Sequence, residues 1–256
     1  MKKANHNIAA YTLVMAFIAV AFATSCRPSK ESGITGSETF QKITGNINGS
    51  GKALELTFTK GPSFNHPTFA IWLEDTSGRF IQTLFITRSF GSGTFYYGDK
   101  SGGQWKPGQV KMPASLPYWS HKAGAAKGIA NYIPDKKNPV PDAYTGATPK
   151  GNFALETRSD KGTPRFVKVF MEINQTWDWN EYWTNNKYPD DTEYKTSCQP
   201  AVVYAAVIDM EKPGETAVLK PIGRSHHSGA DGNLYTDLST LSTALHIAEK
   251  ITAEVK

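Results

Sequence analysis

Apolar and polar residues alternate one by one in several short stretches of this chain, and that period of two most limits how it can fold. The run from Phe166 to Ile173 sets Phe166, Lys168, Phe170 and Glu172 on one face and Val167, Val169, Met171 and Ile173 on the other. Leu54-Glu55-Leu56-Thr57-Phe58 repeats the pattern and stops at Gly61-Pro62. Successive side chains of a strand point to opposite faces, so such runs read as half-buried strands. Residues 68–74, 79–87 and 152–157 continue the series, with turn residues at Asp75-Thr76-Ser77-Gly78 and Asp160-Lys161-Gly162. The first turn predicts a hairpin, the second predicts another joining 152–157 to 166–173, and three strands in a row from Leu54 to Thr87 predict an antiparallel sheet.

Residues 201–208 read as a strand covered on both faces, and 216–223 as one further strand after the Lys212-Pro213-Gly214 turn. Leu238, Leu241, Leu245 and Ala248 are spaced for a short C-terminal helix behind a cap at Asp237, and Ile251 to Val255 reads as a closing strand. With 22 Gly and 15 Pro among 256 residues, short strands and many turns are favoured over a helical bundle, around one sizeable core. The expected fold is a mainly β, antiparallel sandwich with long loops.

The N-terminus reads as an export signal. Lys2 and Lys3 precede an apolar run from Ile8 to Ala23, too short for a comfortable transmembrane helix. It ends in Ala23-Thr24-Ser25-Cys26, which resembles a lipobox. That resemblance implies cleavage of a lipoprotein signal peptide over residues 1–25 and acylation of Cys26, which anchors the protein to the periplasmic or outer-membrane face of a bacterial cell envelope. Residues 26–41, rich in Ser, Gly, Lys and Glu, read as a flexible tether, and residues 42–256 as a single domain. Cys26 and Cys198 are the two cysteines, so lipidation of the first leaves no internal disulfide, and Cys198 reads as a small, partly buried residue.

The stretch Asp142-Ala143-Tyr144-Thr145-Gly146-Ala147-Thr148 is small, polar and bounded by Pro139, Pro141 and Pro149. Such a segment suits an exposed loop open to a modifying enzyme, or an ordinary turn in which Asp142 and Thr145 bond nearby backbone. Its order resembles the flavinylation motif of FMN-binding proteins in bacterial redox chains. The resemblance implies that Thr148 receives FMN through its phosphate from a Mg-dependent FAD:protein FMN transferase, with Asp142, Thr145, Gly146 and Ala147 shaping the site. Pro149 departs from the pattern, standing where those proteins usually carry Ser or Thr.

A wider resemblance joins this loop to Ala70-Ile71-Trp72-Leu73-Glu74-Asp75-Thr76-Ser77-Gly78-Arg79-Phe80 and Leu116-Pro117-Tyr118-Trp119. Together these are similar to the periplasmic family labelled domain of unknown function 2271. That likeness implies an immunoglobulin-like β-sandwich found in company with PepSY-type membrane redox proteins and flavin transferases.

Residues 90–138 show little periodicity and many rings: Phe95-Tyr96-Tyr97, Trp105 and Tyr118-Trp119. They read as a functional loop whose rings stack on an isoalloxazine, with Lys122 or Lys127 near its charge, or as a cover for the sheet. Trp177, Trp179, Tyr182 and Trp183 form the densest aromatic cluster. It suits flavin stacking, a sugar whose hydroxyls bond Asp178, Asn180 and Glu181, or a corner closing the sandwich. His226 and His227, adjacent on an extended strand, are expected to point to opposite faces and not to share a metal.

No Gly-x-Ser-x-Gly, Cys-x-x-Cys-His or zinc spacing occurs, and a formal charge of +5 without a basic block argues against nucleic acid. On the resemblance of the Asp142–Thr148 loop the chain reads as an FMN-carrying electron relay, and the missing motifs argue against an enzyme with its own nucleophile. The rival readings are a non-catalytic carbohydrate-binding lipoprotein and a scaffold module without ligand.

Overall fold

The computed structural model describes residues 39–256. The signal peptide, Cys26 and most of the tether read from the sequence lie outside the described residues. The tether reading extends slightly too far, because Gln41 already pairs with Phe153 in the first strand.

In chain order the strands are β1 (Gln41–Thr44), β2 (Ala53–Lys60), β3 (Thr68–Asp75), β4 (Phe80–Thr87), β5 (Thr94–Asp99), β6 (Lys106–Gln109) and β7 (Thr145–Gly146). They continue with β8 (Phe153–Arg158), β9 (Phe166–Asn174), β10 (Val202–Asp209), β11 (Thr216–Val218), β12 (Lys220–Arg224) and β13 (Ala248–Val255). Three short helices join them: α1 (Arg88–Ser92), α2 (Pro117–Ala126) and α3 (Tyr194–Ser197). One large sheet has the order β1-β8-β2-β13-β11, a second has β12-β10-β9-β3-β4-β7, and β5-β6 form a separate hairpin. Pairing is antiparallel except for β1 with β8 and β4 with β7. The fold is thus mainly β, a sandwich as the alternation requires.

The main core lies between the two large sheets. Leu54, Leu56 and Phe58 of β2 meet Phe69, Ile71 and Leu73 of β3 and the apolar face of β9. Phe58, Phe69 and Phe153 join the layers through ring contacts of 5.0–5.6 Å. Rings at these spacings add to the plain burial of apolar area.

Several expected connections differ. β3 and β4 form the predicted hairpin, held by Asp75, whose carboxylate accepts from the backbone of Ser77 and Arg79. β2, however, lies in the other sheet, and so does β8 relative to β9, so the Asp160–Gly162 turn carries the chain between sheets instead of closing a hairpin. The stretch 216–223 likewise divides into β11 and β12 around buried Leu219. Alternation reports which residues are buried; it does not say which sheet buries them. β10 is not covered on both faces throughout, since Val207 is 54% exposed.

The predicted C-terminal helix is a single 3-10 turn at Thr243–His246. Asn180 and Gln199 hold the preceding segment in a loop by bonding the Thr240 carbonyl and the Ser242 amide, and Asp237 caps Ser239 locally. Ser and Thr compete with the helix ladder for backbone groups, which lets these partners win.

A second apolar layer covers the outer face of the β9-β3-β4 sheet. Trp72 stacks on Phe170 at 5.0 Å, and α2 brings Tyr118 and Trp119 onto them. Sequence reading placed no helix here, although Pro117 at its first position is a start signal. The cap comes from elsewhere in the chain. Glu172 on β9 is fully buried and accepts the Tyr118 N–H at 3.1 Å and the Trp119 N–H at 2.8 Å. Burial pushes its carboxyl up to about 8, against the pull of those backbone donors.

Candidate functional site

The Asp142–Thr148 segment is an edge element rather than a free loop. A 3-10 turn over Asp142–Tyr144 leads into β7, which pairs with the end of β4 as Thr145 opposite Ile86 and Gly146 opposite Thr87. Gly146 is required by proximity: a Cβ there would lie 2.5 Å from Cε2 of Phe85, a core ring that is itself buried. The far end is held by buried Pro149 and by the Lys150 N–H bonded to Gln41 Oε1 at 3.3 Å. Pro149 therefore anchors the loop.

Between those anchors the two threonines differ. Thr145 donates its hydroxyl to the Asp142 carbonyl at 3.3 Å, the local bond expected of a turn. Thr148 is half-buried, Ala147 and Asp142 are exposed, and among the described residues no protein group hydrogen-bonds the Thr148 hydroxyl. Of the loop's hydroxyls, those of Tyr144 and Thr145 are bonded and that of Thr148 has no protein partner among the described residues.

On the other side of Tyr144 the open edge of β4 borders a cleft of about 310 Å³, lined by Phe80, Gln82, Trp119, Ala126, Lys127 and Tyr144, among others. Gln82 is 7% exposed. Its Oε1 accepts the Asp160 N–H at 2.6 Å, which fixes the amide orientation and leaves Nε2 buried without a partner. Two neighbouring polar groups are engaged: the Trp119 indole donates to Thr83 Oγ1 at 3.0 Å, and the Tyr144 hydroxyl donates to Asp160 Oδ2 at 3.2 Å. Tyr132 donates to the Asn138 carbonyl, and burial pushes its phenol up to about 12. Lys127 lies 4.6 Å from the Tyr132 ring centroid and, among the described residues, pairs with no carboxylate.

Of the two lysines considered for a flavin, Lys122 is already committed. It bonds Glu74 at 3.0 Å and the Gly78 carbonyl at 3.1 Å, and although burial works against its charge, Glu74 holds its pKa above the usual lysine range. Tyr96, Tyr97 and Trp105 stand exposed on the β5-β6 hairpin, outside that cleft.

The Trp177–Trp183 cluster is divided. Trp177, Trp179 and Tyr182 are 68%, 58% and 50% exposed, whereas Trp183 is buried, donates to Thr240 Oγ1 at 3.1 Å and packs on Tyr194 and His227. Trp177 has a left-handed backbone with φ of 58°, costly for a residue with a Cβ, imposed by bonds from Trp177 and Asp178 N–H to the Thr196 and Ser197 carbonyls. Asn180 is engaged throughout, and Asp178 is engaged through Oδ1 while its Oδ2 is buried with no hydrogen-bond partner among the described residues. Asn180 Oδ1 accepts the Tyr182 and Trp183 amides, and Asp178 Oδ1 accepts the Thr243 hydroxyl, while burial raises the Asp178 pKa. Glu181 remains exposed beside a shallow cleft of about 360 Å³ that also includes Ser239, Thr240 and Ser242.

His226 and His227 do not point apart. The chain has left β12 at Arg224, and their rings stack at 4.1 Å, with His227 also stacked on Tyr188 at 4.2 Å. Cys198 is buried, as expected of a small packing residue, and burial raises its thiol pKa. Among the described residues no three His, Cys, Asp or Glu side chains gather to hold a metal, and no helix is long and apolar enough to cross a membrane.

The residues missed by sequence reading are Gln82 and Glu172. A polar residue inside a strand pattern was the available signal for each. No protein-family model, curated protein or solved structure matches the chain.

Proposed function

We propose that this protein is an exported, Cys26-anchored lipoprotein of the family labelled domain of unknown function 2271 that carries FMN esterified to Thr148 and passes electrons within a bacterial envelope redox chain. The reading is carried by the contrast between the two threonines: among the described residues the Thr148 hydroxyl has no partner and is partly open, while that of Thr145 is held by Asp142. An FAD:protein FMN transferase forms the Oγ–P bond as the pyrophosphate of FAD breaks, with AMP leaving and the hydroxyl proton passing to a base or to solvent. Bound flavin supplies the electron chemistry, and the protein supplies position and local charge. Asp142 and Thr145 shape the turn, Gly146 lets β7 close on Phe85, and Pro149 fixes the exit. A PepSY-type membrane protein fits as redox partner.

Intact mass of the chain co-expressed with the transferase tests this. The expected result is a gain of one FMN in wild type and in Thr145→Ala, lost in Thr148→Ala. Covalent FMN remaining on Thr148→Ala refutes the site.

A second reading rests on the exposed rings of Trp177, Trp179 and Tyr182, displayed in part by the strained backbone at Trp177. On that reading the protein binds carbohydrate without catalysis, stacking a sugar on those rings. Saccharide-dependent quenching of tryptophan fluorescence, lost in Trp179→Ala, supports it, and unchanged fluorescence across a glycan panel removes it.

A further inference from the structure

The cleft beside β4 combines three features not joined elsewhere among the described clefts. It has the half-buried rings of Phe80 and Tyr144 in its lining, backed by the buried Trp119 and Tyr132, a cation at its rim in Lys127, and a buried amide donor that finds no acceptor among the described residues at Gln82. An unmet buried donor costs about 1–3 kcal/mol, so native structures seldom keep one without a use. The larger cleft near Ile47 also holds an orphan hydroxyl at Thr157, but its charges are satisfied internally: Arg158 bonds the Gly49 and Gly51 carbonyls, and Lys256 pairs with Glu55 and Glu254.

We infer that this cleft is the seat of a flat, tricyclic ring bearing carbonyl oxygens, namely the isoalloxazine of the flavin carried on Thr148. The inference rests on the Thr148 reading for the source of the ring. Gln82 Nε2, closed from solvent in this structure, donates to a ring carbonyl once its side chain turns towards the cleft. Lys127 faces the electron-rich edge of the ring, and Phe80 and Tyr144, the lining rings that keep part of their surface open, take its faces. Tyr144 lines the cleft and Thr148 follows four residues later, so their Cα atoms are at most about 14 Å apart. β7 runs parallel to β4 with Gly146 opposite Thr87, so the ribityl phosphate arm runs back from Thr148 past Tyr144 towards Phe80–Thr83.

Lumiflavin, the same ring without the ribityl phosphate, tests the seat on the full chain purified without transferase. Its fluorescence is quenched when it stacks on Trp or Tyr. Saturable quenching is expected. Gln82→Glu, which keeps the acceptor for Asp160 N–H but removes the amide donor, weakens binding roughly tenfold, the equivalent of losing one buried hydrogen bond. Ala126→Trp, at an exposed helical position on the cleft wall, abolishes it while leaving the circular dichroism unchanged. Trp177→Ala leaves binding intact. Protein already loaded by the transferase no longer takes up lumiflavin.

Absence of saturable quenching, its survival in both Gln82→Glu and Ala126→Trp, or uptake by loaded protein equal to that of unloaded protein each overturns the seat. The mass of Thr148→Ala is read separately. Lumiflavin binding by a chain that the transferase never modifies removes the Thr148 attachment and the tethered source of the ring. Attachment without lumiflavin binding removes the seat alone.

Discussion

Replacing Gly146 with alanine tests how the β-sandwich presents the threonine loop. The new Cβ would stand 2.5 Å from Phe85 Cε2 and 3.1 Å from Cζ, where ordinary carbon contacts begin near 3.5 Å. About 1 Å of movement has to be found. Phe85 is buried in the main core, packed at the density of a protein interior, and yields poorly. β7 is the weaker partner, since it is joined to β4 through two residue pairs at the sheet edge. Lifting it off forfeits about two backbone hydrogen bonds at roughly 0.5–1.5 kcal/mol each, so the substitution costs about 1–3 kcal/mol, as for other overpacked sites. Urea unfolding measures that loss, with Ala147→Gly at an exposed neighbour as the control. The same variant treated with the transferase is expected to gain FMN several-fold more slowly, because Thr148 is no longer held. Wild-type stability and wild-type modification in Gly146→Ala would refute the claim that contact with Phe85 sets the loop.

Two groups shifted by burial, Glu172 fully and His227 partly enclosed, give opposite pH dependences. Glu172 holds its proton up to about pH 8 in the folded protein and to about 4.5 when unfolded, so its contribution to stability falls by about 1.4 kcal/mol per pH unit between those values. His227, depressed to about 4 chiefly by burial, binds its proton later than the unfolded chain does, so its contribution is lost as pH falls from 6.5 towards 4. The two slopes cancel between about pH 4.5 and 6.5. Denaturation midpoints against pH should therefore decline above 6.5 in wild type, lose that decline in Glu172→Gln, and fall from pH 4.5 onward in His227→Phe; identical profiles for all three would refute both assignments. Trp177→Gly exchanges a left-handed backbone penalty of about 1–2 kcal/mol for glycine's greater unfolded freedom, and should unfold within about 1 kcal/mol of wild type. Trp183→Ala, which empties a buried site, should cost about 3–5 kcal/mol in the same assay.

Local pattern carried much of the architecture. Period-two runs located β2, β3, β4, β8, β9 and β13, and Asp75 to Gly78 marked a turn whose bonds lie within a few residues. The composition of the threonine loop pointed to an exposed loop or turn; the turn is there, but Thr145 and Gly146 go on to pair with β4 as a short edge strand. The runs and turns depend on side chains close in sequence, so the sequence alone determined them. The assignment of strands to sheets depends instead on which buried faces meet, and β8 and β9, which alternate alike, part to opposite layers. The cap of α2 lies in Glu172, more than fifty residues from the helix it serves, and the unpaired amide of Gln82 is defined only once Asp160 has taken its oxygen. Alternation decides what is hidden from water; partners distant in the chain decide which polar groups are satisfied there, and so where the molecule has a donor to spare.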